Sequence, residues 1–441
     1  MSFSYKQIWI ITYPVLISLL MEQLIGMTDT AFLGRVGEIE LGASALAGVY
    51  YLAIFMVGFG FRIGAQILMA RRNGEQEYRQ IGAVFTQGVL FLLMLAAVMF
   101  TLSQVYSPSL LRKLIGSDAV YQATLSYINW RVYGFFFSFV AEMFRAFYVA
   151  TTRTKILTLN SVIMVASNVV FNYILIFGKF GFPELGIAGA AIGSSLAELV
   201  SVLFFVLYTY RKIDYKKYAL FRFTGFSARI LKRILSVSVW TMLQSFLSLS
   251  TWFLFFVAVE HLGERPLAIT NIVRNISAFP FMIVNAFAST NSSLVSNLMG
   301  AGESKQVLAL CWRVIKMCYA FVLPLIVLIS VIPTWVMRIY TDNPELIHSS
   351  VASLWVMASS YLISVPGFIM FFSVSGTGNT RPALWMEFAA ICVYVTYMAV
   401  VVLHYRVDVA LCWTTEHVYS VSILVISYLY MRFARWQGKQ I

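Results

Sequence analysis

The chain has 441 residues, of which 60% are hydrophobic and 12% charged, with a mean hydropathy of +0.79. Soluble domains carry nearer a quarter charged residues, so this composition excludes a soluble globular protein and points to one that crosses a membrane repeatedly. The formal charge of +13 does not imply nucleic acid, because the basic residues gather in short loops on one side of the apolar runs, as membrane orientation requires.

A helical crossing needs about 20 apolar residues. The chain offers twelve such stretches, near 8–33, 44–70, 81–107, 124–150, 157–178, 187–210, 232–260, 266–298, 307–338, 349–376, 383–404 and 409–433. The opening residues carry no basic segment with a small-residue cleavage site, so the first stretch reads as a mature span rather than a removable signal. One set of loops holds Arg71, Arg72, Arg79, Arg153, Lys155, Lys305, Arg381, Arg432, Arg435 and Lys439. The opposite set holds Glu38, Glu40, Asp118, Asp342 and Glu345. The expectation is a multi-pass membrane protein with both termini cytoplasmic. The connection from Arg211 to Arg233 is strongly basic and is expected to rest on anionic membrane lipid.

That connection separates two similar halves, expected as six-helix bundles over 1–218 and 219–441. Arg35-Val36-Gly37-Glu38 is echoed by His261-Leu262-Gly263-Glu264, and Thr152-Arg153-Thr154-Lys155 by Gly378-Asn379-Thr380-Arg381, both at a shift of 226. Asn73-Gly74-Glu75 is echoed by Ala301-Gly302-Glu303 at 228. An even number of spans per repeat gives both halves the same topology, an arrangement common among alternating-access transporters.

The ionisable residues inside the spans are unevenly shared. The first span carries Glu22 and Asp29, seven residues apart and therefore on one helix face, about 10 Å apart. An acid at membrane depth is costly and by default marks a functional site, although Asp29 is near enough to the span's end to reach the interface instead. At the 226 shift Asp29 falls on Phe255 and Glu22 on Ser248, so the second half has no copy of this pair. Asn168 and Asn172 are four apart on the fifth span and share a face; they could hold a cation or simply join helices. Glu142 and Arg145 are spaced to pair on the fourth span, while Arg62 and Arg274 have no evident acid. Polar positions of the second half include Gln244, Ser245, Ser248 and Asn291, with acids at Glu260, Glu387 and Glu416. Cys311, Cys318, Cys392 and Cys412 show no metal or disulfide spacing. No phosphate-cradling loop, paired metal-binding histidines or nucleophile elbow is present, so neither an enzyme nor an ATP-driven pump is expected, and no cofactor.

Met27-Thr28-Asp29-Thr30-Ala31-Phe32-Leu33-Gly34-Arg35-Val36-Gly37 resembles the first-helix signature of the multidrug and toxic compound extrusion (MATE) family. The run from Asn168 through Asn172 to Gly178, then Pro183 to Ser194, is similar to its fifth and sixth helices. The resemblance covers the full length. It implies a MATE/MOP-like fold and export of small amphipathic or cationic compounds in exchange for H⁺ or Na⁺. It maps the family's first-helix aspartate onto Asp29, its fifth-helix polar pair onto Asn168 and Asn172, and a sixth-helix hydroxyl onto Ser194, a set able to hold Na⁺. Two departures stand out. Asn172 replaces an aspartate common in one branch, and the stretches around Gln244 and Pro366 lack the acids of the NorM-like branch. Glu22, Glu142 and Gln244 are expected as auxiliary or cavity residues, and the protein as a monomer. A lipid-linked-precursor flippase of the same superfamily and a non-transporting membrane scaffold are the alternative readings.

Overall fold

Hydrocarbon offers no partners for backbone N–H and C=O groups, so the spans must be helices that satisfy their own backbone. The structure, a computed structural model, describes residues 2–441. In it the first seven helices are α1 (Tyr5–Val36), α2 (Glu38–Gly74), α3 (Tyr78–Leu114), α4 (Asp118–Arg131), α5 (Gly134–Ala150), α6 (Lys155–Phe177) and α7 (Ile187–Lys212). They are followed by α8 (Ala228–Glu260), α9 (Glu264–Gly300), α10 (Val307–Val331), α11 (Pro333–Met337) and α12 (Pro344–Gly376). The last are α13 (Thr380–Met398), α14 (Val409–Cys412) and α15 (Thr414–Phe433). Among the described residues eleven helices are each long and apolar enough to cross a membrane, and α4 with α5 makes a twelfth, bent by 50°. The chain is therefore an all-α, multi-pass membrane protein.

Four of the expected spans differ in detail, the twelfth being divided at Trp413 into α14 and α15. The fourth is broken at Val132-Tyr133. The ninth ends at Val331, where Pro333 opens the short α11. The eleventh continues beyond Met398 as a π-helical turn, Ala399–His404. Helix ends follow their local chemistry. Asn343 accepts from the Glu345 and Leu346 amides at 3.0 and 3.3 Å to start α12, and Pro344 follows at the first helical position. Gly178 closes α6 in the left-handed region at φ 65°, a conformation that costs glycine nothing.

The chain divides into two compact units, one of Ile17–Met242 and the other of the residues up to Leu16 with Leu243–Ile441. In the first, α2 packs against α4 and α5, α3 against α5, and α6 against α7. Its core is aromatic: Phe135, Phe139, Phe144, Phe147 and Phe205 are all buried, with Phe144 and Phe205 stacked at 5.3 Å. The basic connection after α7 is fastened to α3. Gln87 donates to the Gly225 carbonyl at 2.8 Å and accepts from the Ser227 amide at 3.0 Å, and Tyr218 and Leu220 are buried.

In the second unit α12 lies between α9 and α15. Gly376 lets α9 approach: a Cβ there would stand 2.5 Å from the Ser292 carbonyl oxygen. Gly376→Ala is expected to lower stability by about 1–3 kcal/mol, read as a lower Tm of the detergent-solubilised protein. Gly26→Ala, mid-helix where a Cβ meets nothing within 4 Å, should leave it unchanged or raise it by up to about 1 kcal/mol.

Candidate functional site

The site is built where α1, α6 and α7 of the first unit meet. Two local features bring α7 against α6. After the Gly178 cap the chain doubles back, with the Leu185 amide donating to the Leu175 carbonyl at 3.0 Å and the Gly186 amide to Ile176 at 3.3 Å. Gly189 and Gly193 then form one small-residue stripe on α7. A Cβ at Gly189 would lie 2.5 Å from the Leu175 carbonyl oxygen, and one at Gly193 would lie 2.6 Å from Asn172 Oδ1. Small residues at this spacing let membrane helices approach closely.

Asp29, half-buried on α1, closes the site. Asn172 Nδ2 donates to its Oδ1 at 2.5 Å and Ser194 Oγ to its Oδ2 at 3.1 Å. Asn172 Nδ2 also donates to Asn168 Oδ1 at 3.2 Å, and Asn168 Nδ2 to Ser194 Oγ at 3.2 Å. Both asparagines have 0% exposure. The structure thus brings together Asp29, Asn168, Asn172 and Ser194, with the hydrogen bonds to Asp29 coming, among the described residues, from neutral side chains. One atom is left over: Asn172 Oδ1 is buried without a hydrogen-bond partner. A carboxylate beside an unpartnered amide oxygen and a hydroxyl is a hard-oxygen set that suits a proton or a small monovalent cation.

Glu22 does not join this group. It pairs with Arg145 of α5, which also contacts Glu142 at 3.2 Å, and Glu142 reaches Arg62 of α2 at 3.3 Å. Glu142 and Arg145 pair as their spacing anticipates. Arg62, whose partner is 80 positions away, is not the isolated cation that its sequence neighbours suggest. Arg274 of the second unit does lack an acid among its described contacts. Its guanidinium sits over Trp252 and Phe256 at 4.1 and 4.6 Å from the ring centroids, where the ring faces attract it. Gln244 lies on α8 in the second unit, apart from the Asp29 group in the sequence and in unit.

A second ion pair escaped the sequence reading. Arg131, the last residue of α4, forms two hydrogen bonds of 2.8 and 2.7 Å with Glu198 of α7 and stacks on Tyr51 at 3.9 Å. Tyr51 donates to Glu198 Oε1 at 3.1 Å. Gly134, just after the break, leaves room for this pair, since a Cβ there would run into the Arg131 and Glu198 side chains. The available signal was an arginine inside an apolar stretch, which calls for a partner at membrane depth.

Comparison with known proteins gives a concordant result. The MatE family profile matches the chain twice, over residues 14–174 and 241–402. The two matches begin 227 positions apart (14 and 241), in line with the internal repeat. Among curated relatives, a probable multidrug resistance protein NorM of Idiomarina loihiensis is 24% identical over 80% of this chain and 76% of its own length. A NorM of Thermotoga maritima is 23% identical over 88% and 83%, and a multidrug resistance protein MdtK of Photorhabdus laumondii 24% over 80% and 77%. Among solved structures, an outward-facing multidrug resistance MATE family transporter of the MOP superfamily superposes with a TM-score of 0.89 at 18% identity, covering 97% of this chain and 95% of that one. A MOP superfamily transporter from Pyrococcus furiosus gives 0.88 at 18%, covering 97% and 95%. With the profile covering well over half of its length, twice and in register with its own repeat, the chain belongs to the MatE family.

Proposed function

We propose that the protein is a secondary antiporter that exports small amphipathic or cationic compounds in exchange for H⁺ or Na⁺, with Asp29 carrying the coupling ion. The observation behind this reading is the setting of Asp29. It is an acid at membrane depth that accepts hydrogen bonds from Asn172 and Ser194 and, among the described residues, forms no ion pair, beside an unpartnered amide oxygen. The names of the curated relatives, multidrug resistance proteins NorM and MdtK, support the substrate class.

The chemistry follows from the cost of charge in an apolar medium, about 2.5–3.5 kcal/mol for an acid at a helix centre on insertion scales. A bare Asp29 carboxylate draws in either a coupling ion or the cationic group of a substrate, and one negative charge does not neutralise both. Ion binding rearranges the hydrogen bonds from Asn172 and Ser194, which ties the packing of α1 against α6 and α7 to ion occupancy. Competition for that single charge gives exchange. On this reading the duplicated halves 1–218 and 219–441 are the two bundles of the carrier, and both termini face the cytoplasm. The protein works as a monomer, and the basic connection lies against anionic lipid.

A flippase for an anionic lipid-linked precursor would use uncompensated positive charge. Arg62, Arg131 and Arg145 of the first unit are each committed to an acid, which favours the cation reading.

Dye efflux from everted vesicles, with pH and Na⁺ gradients imposed separately, tests the proposal. Asp29→Asn should reduce gradient-driven flux to that of vesicles without the protein; full ion-driven flux in this variant would sink the mechanism. Asn172→Asp supplies a second carboxylate. A unit charge about 4 Å from a bound cation contributes about 4 kcal/mol at an effective dielectric of 20, before desolvation. The Na⁺ concentration giving half-maximal flux should therefore fall by at least about tenfold, and an unchanged value would argue against Na⁺ occupying this position.

A further inference from the structure

The second unit contains a buried acid that the mechanism above does not use. Glu387 of α13 is 2% exposed. Its Oε1 accepts from Ser248 Oγ of α8 at 2.5 Å and from the Tyr419 hydroxyl of α15 at 3.3 Å, while its Oε2 is buried without a partner. One helical turn before Ser248, on the same face of α8, Gln244 leaves its Oε1 buried and unpartnered too. Both orphans are acceptor oxygens.

The surrounding groups supply no positive charge. Among the described residues, none of the ion pairs includes Glu387. The neighbouring α15 offers Tyr419, Glu416 and His417, of which His417 is engaged with Ser359 Oγ at 2.8 Å. Tyr394 of α13 has its ring 6.0 Å from that of Tyr419, and Tyr361 of α12 is bonded to Ser277. From α8 come only the neutral Gln244 and Ser248. A carboxylate buried without a cation is among the most costly arrangements in a protein interior, and neutralisation is the usual way out.

At the equivalent place the first unit carries no charge. At the 226 shift, Gln244 and Glu387 fall on Ser18 and Ser161. In the first unit those two hydroxyls bond each other at 2.7 Å, a neutral pair with no open valence. At the equivalent positions the second unit carries an amide and an acid, each with one buried oxygen left without a partner.

From this geometry we propose that Glu387 is a second exchangeable-proton site, separate from Asp29. The proton is held on the carboxyl group, whose hydrogen-bonding partners are Ser248 and Tyr419. Uptake adds H⁺ to a carboxylate oxygen and release returns it to water, with no electron transfer. Two hydroxyls already donate to the carboxyl group, which suits a proton rather than a metal ion as the neutralising charge. The proposal does not depend on the antiport reading, because its test measures protonation rather than transport.

Infrared difference spectra between alkaline and acid pH, recorded on the full-length protein in lipid bilayers, read the C=O stretch of a protonated carboxylic acid. The expected result is an acid-induced band that Asp29→Asn retains, Glu387→Gln loses and Ser248→Ala shifts in frequency. A band unchanged in Glu387→Gln overturns the proposal, as does its disappearance on adding Na⁺ at constant pH. Should Glu387→Gln fail to fold, Ser248→Ala and Tyr419→Phe decide: a shift in either supports the site, and no shift in both overturns it.

Discussion

Charge in an apolar interior has to be answered by another group, and the first unit is arranged around that requirement. Glu22, Arg62, Glu142 and Arg145 form one connected set, and Arg131 and Glu198 form another. Each set ties together helices far apart in sequence: α1, α2 and α5 in one case, α4 and α7 in the other. Removing one member of a buried pair typically costs about 3–5 kcal/mol, because the survivor keeps its desolvation cost. These pairs therefore fix helix positions as firmly as the aromatic packing does. Asp29 is the exception. Among the described residues its hydrogen-bond partners are two neutral side chains, so the rigid pairs around it frame a group whose charge is not already neutralised.

The second unit handles the same backbone differently. Its recurring polar features are hydroxyls and amides, such as the Asn291–Ser373–Cys311 cluster, where Asn291 donates to Ser373 Oγ at 2.7 Å. Arg274 is held by aromatic faces rather than by an acid. The doubled profile match shows that both halves descend from one pattern. The contrast between them is consequently one of side-chain chemistry on a common scaffold, not of fold.

How much of this could be read from the amino-acid order depended on the range of the interaction. Span number and order follow from apolar length, a property local to each stretch, and those positions survive in the structure with small shifts. The Asn168–Asn172 and Glu142–Arg145 relationships are set by helical spacing and were equally accessible. The Arg131–Glu198 pair beside the bend was not, because it joins α4 to a helix more than fifty residues later, with Gly134 leaving it room. Arg62 and Glu142, or Asp29 and Asn172, are brought together by helix packing that no local pattern encodes. Only family resemblance pointed to Asp29 and its fifth-helix partners as a group. The split of Glu387 into one bonded and one open oxygen is a matter of atomic geometry, invisible to sequence pattern altogether.

Gly193 carries a consequence for comparative genomics. Its missing side chain is what leaves room for Asn172 Oδ1, 2.6 Å from where a Cβ would stand. A relative with Asp29 and Asn172 equivalents but a larger residue at this position must turn its amide elsewhere or hold the sixth helix further away. Its carboxylate would then sit in a different cage despite an identical acid. Sorting homologous genomes by this glycine as well as by the aspartate would group transporters by the geometry of the cage, a finer criterion than the presence of the charge alone.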